Sequence, residues 1–165
     1  MKFIYFLLFT SLMFSCSRKN SLDESHDNKI ESTSIKVNYQ LGSNYFVKND
    51  ADLTHLTKSY LDSKNDFEAI FGIARTMSKE SDPTPIDFNQ QIVVPIILEE
   101  TNIGSSINVD SVYKNGNQLM IRYTVTEVQP ISYIIQPCEL IIINRDEFND
   151  LKDLHLTFEK TTKVL

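Results

Sequence analysis

Residues 107–126 read INVDSVYKNGNQLMIRYTVT. Leu119, Ile121, Tyr123 and Val125 alternate with Met120, Arg122, Thr124 and Thr126. A period of two puts the four apolar side chains on one face of a strand, buried, with the other face half-solvated. Ile107, Val109 and Val112 belong to a preceding strand. Between the two, Lys114-Asn115-Gly116-Asn117 carries the strongest turn signal in the chain, since Asn-Gly suits a two-residue type I′ loop. The stretch therefore predicts a β-hairpin.

The flanks extend the strand pattern. Ile92 to Leu98 is a continuous apolar run broken by Pro95, which predicts a bulge or an edge strand. Ile131–Ile135 and Leu140–Ile143 are dense β-branched runs around Gln136-Pro137-Cys138. They predict fully buried strands kinked at the proline. Leu154, Leu156 and Phe158 predict one more alternating strand. Upstream, Ile35, Val37, Tyr39 and Leu41 alternate as a strand, Gly42-Ser43-Asn44 is a turn, and Tyr45-Phe46-Val47 is a short second strand. Leu53 to Leu61 fits a helical face, weakened by Thr54, Thr57 and Ser59. The clearest helix is Lys64 to Phe71, with Ser63 as N-cap, Asp66 completing an acidic capping box and Gly72 as the residue that ends it. Residues 78–85 are a polar loop. The fold class is α+β: a mainly antiparallel β-sheet or small sandwich with one short helix packed on it.

Composition narrows the function. The chain has 165 residues, with 16 Lys and Arg against 22 Asp and Glu and a net charge of -6. One domain fits that length. The acidic balance argues against nucleic acid as a partner, which needs clustered cations. Two cysteines exclude a disulfide-dense scaffold and a four-thiolate zinc site. Phe3 to Phe14 is an apolar run of about twelve residues after Lys2, short of the ~20 that span a bilayer and sized like a signal-peptide core. Leu12-Met13-Phe14-Ser15-Cys16 follows, then Ser17. This arrangement resembles a bacterial lipoprotein signal peptide, with residues 1–16 as leader and Cys16 as the residue lipidated. Ordinary signal-peptidase cleavage is the alternative. The resemblance implies a membrane partner through Cys16 and an outer-membrane location on an unassigned face. Residues 17–34 hold two apolar side chains, Leu22 and Ile30. They read as a flexible tether, spanning about 24 Å as a random coil. Residues 35–165 form the single β-rich globular domain.

Chemistry is sparse. Cys138, flanked by Pro137 and an apolar strand, reads as a small buried hydrophobe rather than a nucleophile, which would need a histidine such as His55 or His155. His26 reads as solvated tether. Asn144, Asp146 and Asp150 are spaced faintly like a calcium loop, yet Phe148 stands at a ligand position and no glycine makes the turn. Glu99-Glu100 point to opposite strand faces, unlike an acid/base pair. Asp82, Asp87 and Asp110 are isolated. Dinucleotide, phosphate-loop, zincin and serine-elbow motifs are absent from the sequence. No catalytic residue, metal or cofactor is assigned. The tyrosines of residues 35–165 (39, 45, 60, 113, 123 and 133), together with Phe46, suit either a binding surface or the rim of a β core.

Phe67-Glu68-Ala69-Ile70-Phe71-Gly72, then Pro85-Ile86-Asp87-Phe88-Asn89 leading into Val93-Val94-Pro95-Ile96-Ile97, resembles uncharacterised Bacteroidetes lipoproteins. More distantly it resembles the PrcB-like C-terminal domain of protease-complex subunits. The likeness continues through the Asn115-Gly116 hairpin, over roughly residues 57 to 145. It implies a β-rich, non-enzymatic domain that stabilises a partner protease. Where that family carries a Gly-Gly-Tyr loop, also reminiscent of chagasin-type inhibitors, this chain has Thr101-Asn102-Ile103-Gly104-Ser105-Ser106, with one glycine and no tyrosine. The expectation is a non-catalytic, lipid-anchored envelope binding or accessory lipoprotein. Its sheet edges and the 101–106 loop would contact an envelope protein. A protease regulator or inhibitor acting through that loop is the second reading, and a hydrolase using Cys138 or a carboxylate pair the third.

Overall fold

The computed structural model describes residues 34–56, 59–74 and 82–165. The expectations for residues 1–33, including Cys16 and nearly all of the tether, lie outside these, as do those for residues 75–81 and the His55 side chain. In chain order the strands are β1 (Ile35–Lys36), β2 (Tyr39–Gly42), β3 (Tyr45–Val47), β4 (Phe71–Ile73), β5 (Gln91–Ile97), β6 (Thr101–Asn115), β7 (Gln118–Ile135), β8 (Cys138–Asn144) and β9 (His155–Val164). Among the described residues one α-helix, α1 (Lys64–Ile70), joins them. Mostly antiparallel and mixed sheets with a single short helix make the class α+β.

The 107–126 hairpin is the tip of a longer one. Its ladder starts at Gln91↔Asn144 and runs to Asn115↔Gln118. Midway the double strand changes sheet. β5 and β8 lie in a sheet ordered β2-β8-β5, whereas β6 and β7 lie in a sheet ordered β1-β6-β7-β9. The change falls at Leu98-Glu99-Glu100 on one strand and Gln136-Pro137 on the other, where proline has no N–H to offer a ladder. There the Leu98 N–H donates to the Pro137 carbonyl at 2.9 Å.

At the tip, the two-residue loop is Gly116-Asn117, one residue later than the Asn-Gly signal places it. Gly116 has φ of +58°, and Asn117 keeps a negative φ. Glycine first is the type II′ arrangement, not type I′. Along β7, Leu119, Ile121, Tyr123 and Val125 are all buried, as their alternation requires. On β6, Val109 and Val112 are both buried although three residues apart. A bulge between Val109 and Ser111 supplies the extra residue, Asp110. Its carboxylate accepts from Asn108 Nδ2 at 2.8 Å and from Thr124 Oγ1 at 2.7 Å, which fixes the bulge.

Ile92, Val94 and Ile96 of β5, with Ile141 and Ile143 of β8, pack with this β6/β7 face in one core cluster. The intervening Val93, Leu140 and Ile142 point the other way. They pack with Val47 and with Phe67, Ile70 and Phe71 in a second cluster. β5 and β8 are therefore buried on both faces, and their unbroken apolar runs follow from that. Pro95 sits on the outer strand of its sheet, as expected for a residue without a donor. Val93 exchanges N–H and C=O bonds with Leu61, away from β8, so the period of two aims the Pro95 nitrogen outward too.

α1 begins at Ser63, whose Oγ accepts the Asp66 N–H at 3.2 Å and donates to Asp66 Oδ2 at 2.7 Å. Phe67 stacks on Phe71 at 5.0 Å and meets Tyr45 edge-on at 5.1 Å. Gly72 does not end the helix in a left-handed conformation. The chain passes directly into β4, and Gly72 pairs with Phe46. A Cβ there would meet the Phe46 ring at 2.5 Å, so the glycine makes room for an aromatic ring across the strand pair. Arg145, at the end of β8, donates from Nε to the carbonyls of Phe88 (3.1 Å) and Gln91 (3.3 Å), and from Nη2 to that of Asp62 (2.6 Å). It ties the start of β5 and the approach to α1 to β8.

Four further expectations need correction. The single strand from Ile35 to Leu41 is two: β1 pairs with β6 and β2 with β8, because the chain switches sheets at buried Val37. The closing strand, β9, lies parallel to β7 from Gln118↔His155 to Glu127↔Val164, and Phe158 is exposed. The run Ile131–Ile135 is not a buried strand of its own but the exposed end of β7. Residues 101–106 are not a loop but the bulged start of β6, paired from Thr101↔Ile135 to Ser106↔Thr126.

Candidate functional site

The start of β6 and the end of β7 form a strand pair that leaves the core. No residue from Thr126 to Ile135 is buried, although the preceding three residues all are. The ladder is irregular here. Between Ile103↔Pro130 and Thr101↔Ile135, two steps on β6 oppose five on β7. Pro130 lacks a ladder N–H, so the excess 131–134 bulges. That bulge carries Tyr133 and Ile134, exposed at 63% and 70%, with Val128 at 45% beside it. Large apolar side chains at such exposure gain little from folding, and grouped together they mark a contact surface.

Both margins of this overhang are open among the described residues. β1 pairs with β6 at Lys114 and Tyr113, and Val37 adds a bond to Val112, after which β6 has no outer strand. β9 leaves β7 at Glu127↔Val164, followed by a Leu165 N–H bond to the Glu127 carbonyl at 3.0 Å. The expected contact residues 101–106 therefore sit on an exposed sheet edge. They are held locally. The Ile103 N–H donates to Thr101 Oγ1 and Ser105 Oγ donates to the Ile103 carbonyl, both at 3.0 Å. Gly104 allows Val128 to lie over the strand, since a Cβ there would come within 2.7 Å of Val128 Cγ2. Asn102 and Ser106 are exposed. What the sequence missed was the other half, Val128 and Tyr133-Ile134. The signal was present as Pro130 inside an apparent strand, which disfavours a buried central position.

The chemistry elsewhere is structural. Cys138 is half-buried against the second core cluster. Burial pushes its thiol pKa up, the Glu139 carboxylate adds to this, and a backbone hydrogen bond with Val47 works against it. A raised pKa disfavours the thiolate that a nucleophile needs. His155 is exposed on β9. Glu139 is also pushed up by burial, offset by the Leu140 N–H that its Oε1 accepts at 3.0 Å. Two of the residues at calcium-like spacing have local structural partners: Asp150 Oδ1 accepts the Lys152 N–H in a turn, and Asn144 Oδ1 accepts from Gln91 Nε2 across the β5/β8 pair. Among the described residues no three His, Cys, Asp or Glu side chains are grouped to hold a metal, and no helix is long and apolar enough to cross a membrane. An open cleft of about 430 Å³ lies between α1 and the β3/β4 pair, floored by Phe67, Phe71 and Phe88 and rimmed by Lys48 and Lys64. Both lysines are engaged with Glu68, Lys48 at its carbonyl and Lys64 at its carboxylate.

No protein-family model, no curated protein and no solved structure matches this chain.

Proposed function

We propose that the chain is a non-catalytic, lipid-anchored accessory module of the cell envelope. Cys16 is the anchor and the β6/β7 overhang is the contact surface. The observation that carries the reading is the exposed Tyr133-Ile134 bulge beside the open edge of β6, both mounted on a doubly packed core. Aromatic and aliphatic side chains held on a rigid frame form contacts at small entropic cost. The lipoprotein-like stretch Leu12-Met13-Phe14-Ser15-Cys16 supports the anchor, because a lipoprotein cysteine carries two or more acyl chains and so holds stably to a bilayer.

The test is photo-crosslinking in the native envelope, with a photoreactive residue at position 133 and a control at exposed position 153. Position 133 is expected to give one defined adduct that position 153 does not. Cys16→Ser is expected to release the chain from the membrane fraction. Equal labelling at both positions would contradict the contact surface, and unchanged membrane retention would contradict the anchor. An adduct with a protease would favour the regulator form of this reading.

A further inference from the structure

We propose that the outer edge of β6, centred on Ser105 and Ile107, accepts an extended basic segment of a partner protein as an added strand. This rests on the accessory-module reading and names the chemistry of its partner.

The backbone geometry comes first. Between Ser105↔Glu127 and Val109↔Tyr123 the β6/β7 ladder is regular for five residues. The Ile103 N–H and C=O bond side chains of their own strand, and the Val109 carbonyl accepts Tyr39 Oη at 3.4 Å. The Val109 carbonyl faces away from β7, and the Leu165 N–H bond turns the carbonyl of Glu127, the partner of Ser105, away from β6. In an antiparallel ladder alternate residues share that direction, so the N–H and C=O of Ser105 and Ile107 also point outward. Among the described residues no strand meets them. Proteins commonly guard such an edge with lysine or proline. β9 follows that rule with Lys160 and Lys163, whereas β6 has neither residue from 101 to 111.

Charge selects the occupant. Residues 98–108 and 125–137 contain Glu99, Glu100 and Glu127 and no Lys, Arg or His. Glu127 stands directly across from Ser105. In the sheet register the nearest cation is Lys163, opposite Thr126 on the far side of β7. A second copy pairing edge to edge would bring one acidic overhang onto another, which is unfavourable. A segment alternating Lys or Arg with apolar residues would place cations near these carboxylates and its apolar face near Val128. The main-chain bonds would give affinity and the alternating side chains specificity.

The test uses the full chain in detergent and a fluorescent peptide alternating Lys or Arg with Val or Ile. Three further peptides serve as comparisons: one with Glu for every cation, one with a central proline, and one scrambled to remove the alternation. The basic alternating peptide is expected to bind and to weaken about tenfold between about 50 and about 500 mM salt. The proline, scrambled and Glu peptides are expected to bind at least about tenfold more weakly. Ser105→Pro removes an outward N–H without touching the β7 ladder, so it is expected to abolish binding while the circular dichroism spectrum is retained. Glu127→Gln, which keeps shape and removes charge, is expected to weaken binding and flatten the salt dependence. Equal binding of the proline or scrambled peptide, or unchanged binding by Ser105→Pro, would overturn strand addition. Absence of binding by the basic peptide would overturn the proposal even where position 133 gives its adduct, and the accessory reading would then stand without it. Absence of both would remove the two together.

Discussion

Two stretches of the long hairpin, an inner one and an outer one, share one ladder and have opposite surroundings. β5 and β8 bury side chains on both faces, whereas the Thr101–Ser106 and Thr126–Ile135 segments bury none. Backbone hydrogen bonds alone contribute little net stability, since water offers equivalent partners. Layering of apolar side chains decides which stretch holds the fold. The inner stretch has a regular register and apolar runs interrupted by Pro95 at the outer strand of its sheet. The outer stretch has bulges and a single-sign charge pattern, features that packing does not require.

The comparison breaks most visibly under truncation. Ile141→Ala, in the doubly covered strand, is expected to cost about 2–5 kcal/mol in urea denaturation, the range for cavity-forming core substitutions. Ile134→Ala, the same chemical change on the overhang, is expected to stay within about 0.5 kcal/mol. Similar losses at the two sites would break the contrast.

Next in size is the clamp on the inner stretch. Arg145→Ala leaves the carbonyls of Phe88, Gln91 and Asp62 without the guanidinium. A loss of about 1.5–3 kcal/mol is expected, the scale of hydrogen bonds to a charged group. Arg145→Lys should recover only part, because an ammonium lacks the planar fork. Smaller again is Ser63→Ala, which removes the α1 cap and is expected to cost about 1 kcal/mol by thermal or urea unfolding.

The smallest effect sharpens the boundary between the stretches, at Glu139 just past the sheet change. Its folded pKa is raised above the ordinary value of 4.5 by burial. The folded state therefore holds this proton more tightly than the unfolded one. The stabilising contribution is full below about pH 4.5 and is lost as pH rises through the raised folded value. Glu139→Gln is expected to remove that part of the pH slope, measured as urea midpoints at about pH 4 and about pH 7.

Much of the core was legible in the sequence because burial writes itself into residue choice. The 119–125 alternation, the runs at 92–98 and 140–143, and the Ser63 cap all correspond to observed elements. Failures fell where one residue's shift changes a face. The Val109-to-Val112 spacing needed a bulge, Val37 hid a change of sheet, and Gly72 served ring packing rather than helix termination. Ile131–Ile135 reads as buried in the sequence because composition alone cannot tell an apolar core strand from an apolar exposed one. Of the site, residues 101–106 were legible as a position but not as a strand edge. Arg145 was not legible at all, since its partners are backbone carbonyls distant in sequence.

On the proposed function the overhang serves contact rather than stability. The double substitution Tyr133→Ser and Ile134→Ser separates the two, read in one preparation by urea denaturation and by crosslinking from position 128 in the native envelope. An unfolding free energy within about 0.5 kcal/mol of the parent is expected, together with loss of the adduct that position 128 gives in the parent. A fall of about 2 kcal/mol or more with the adduct retained would contradict it, and would assign these side chains to the fold instead.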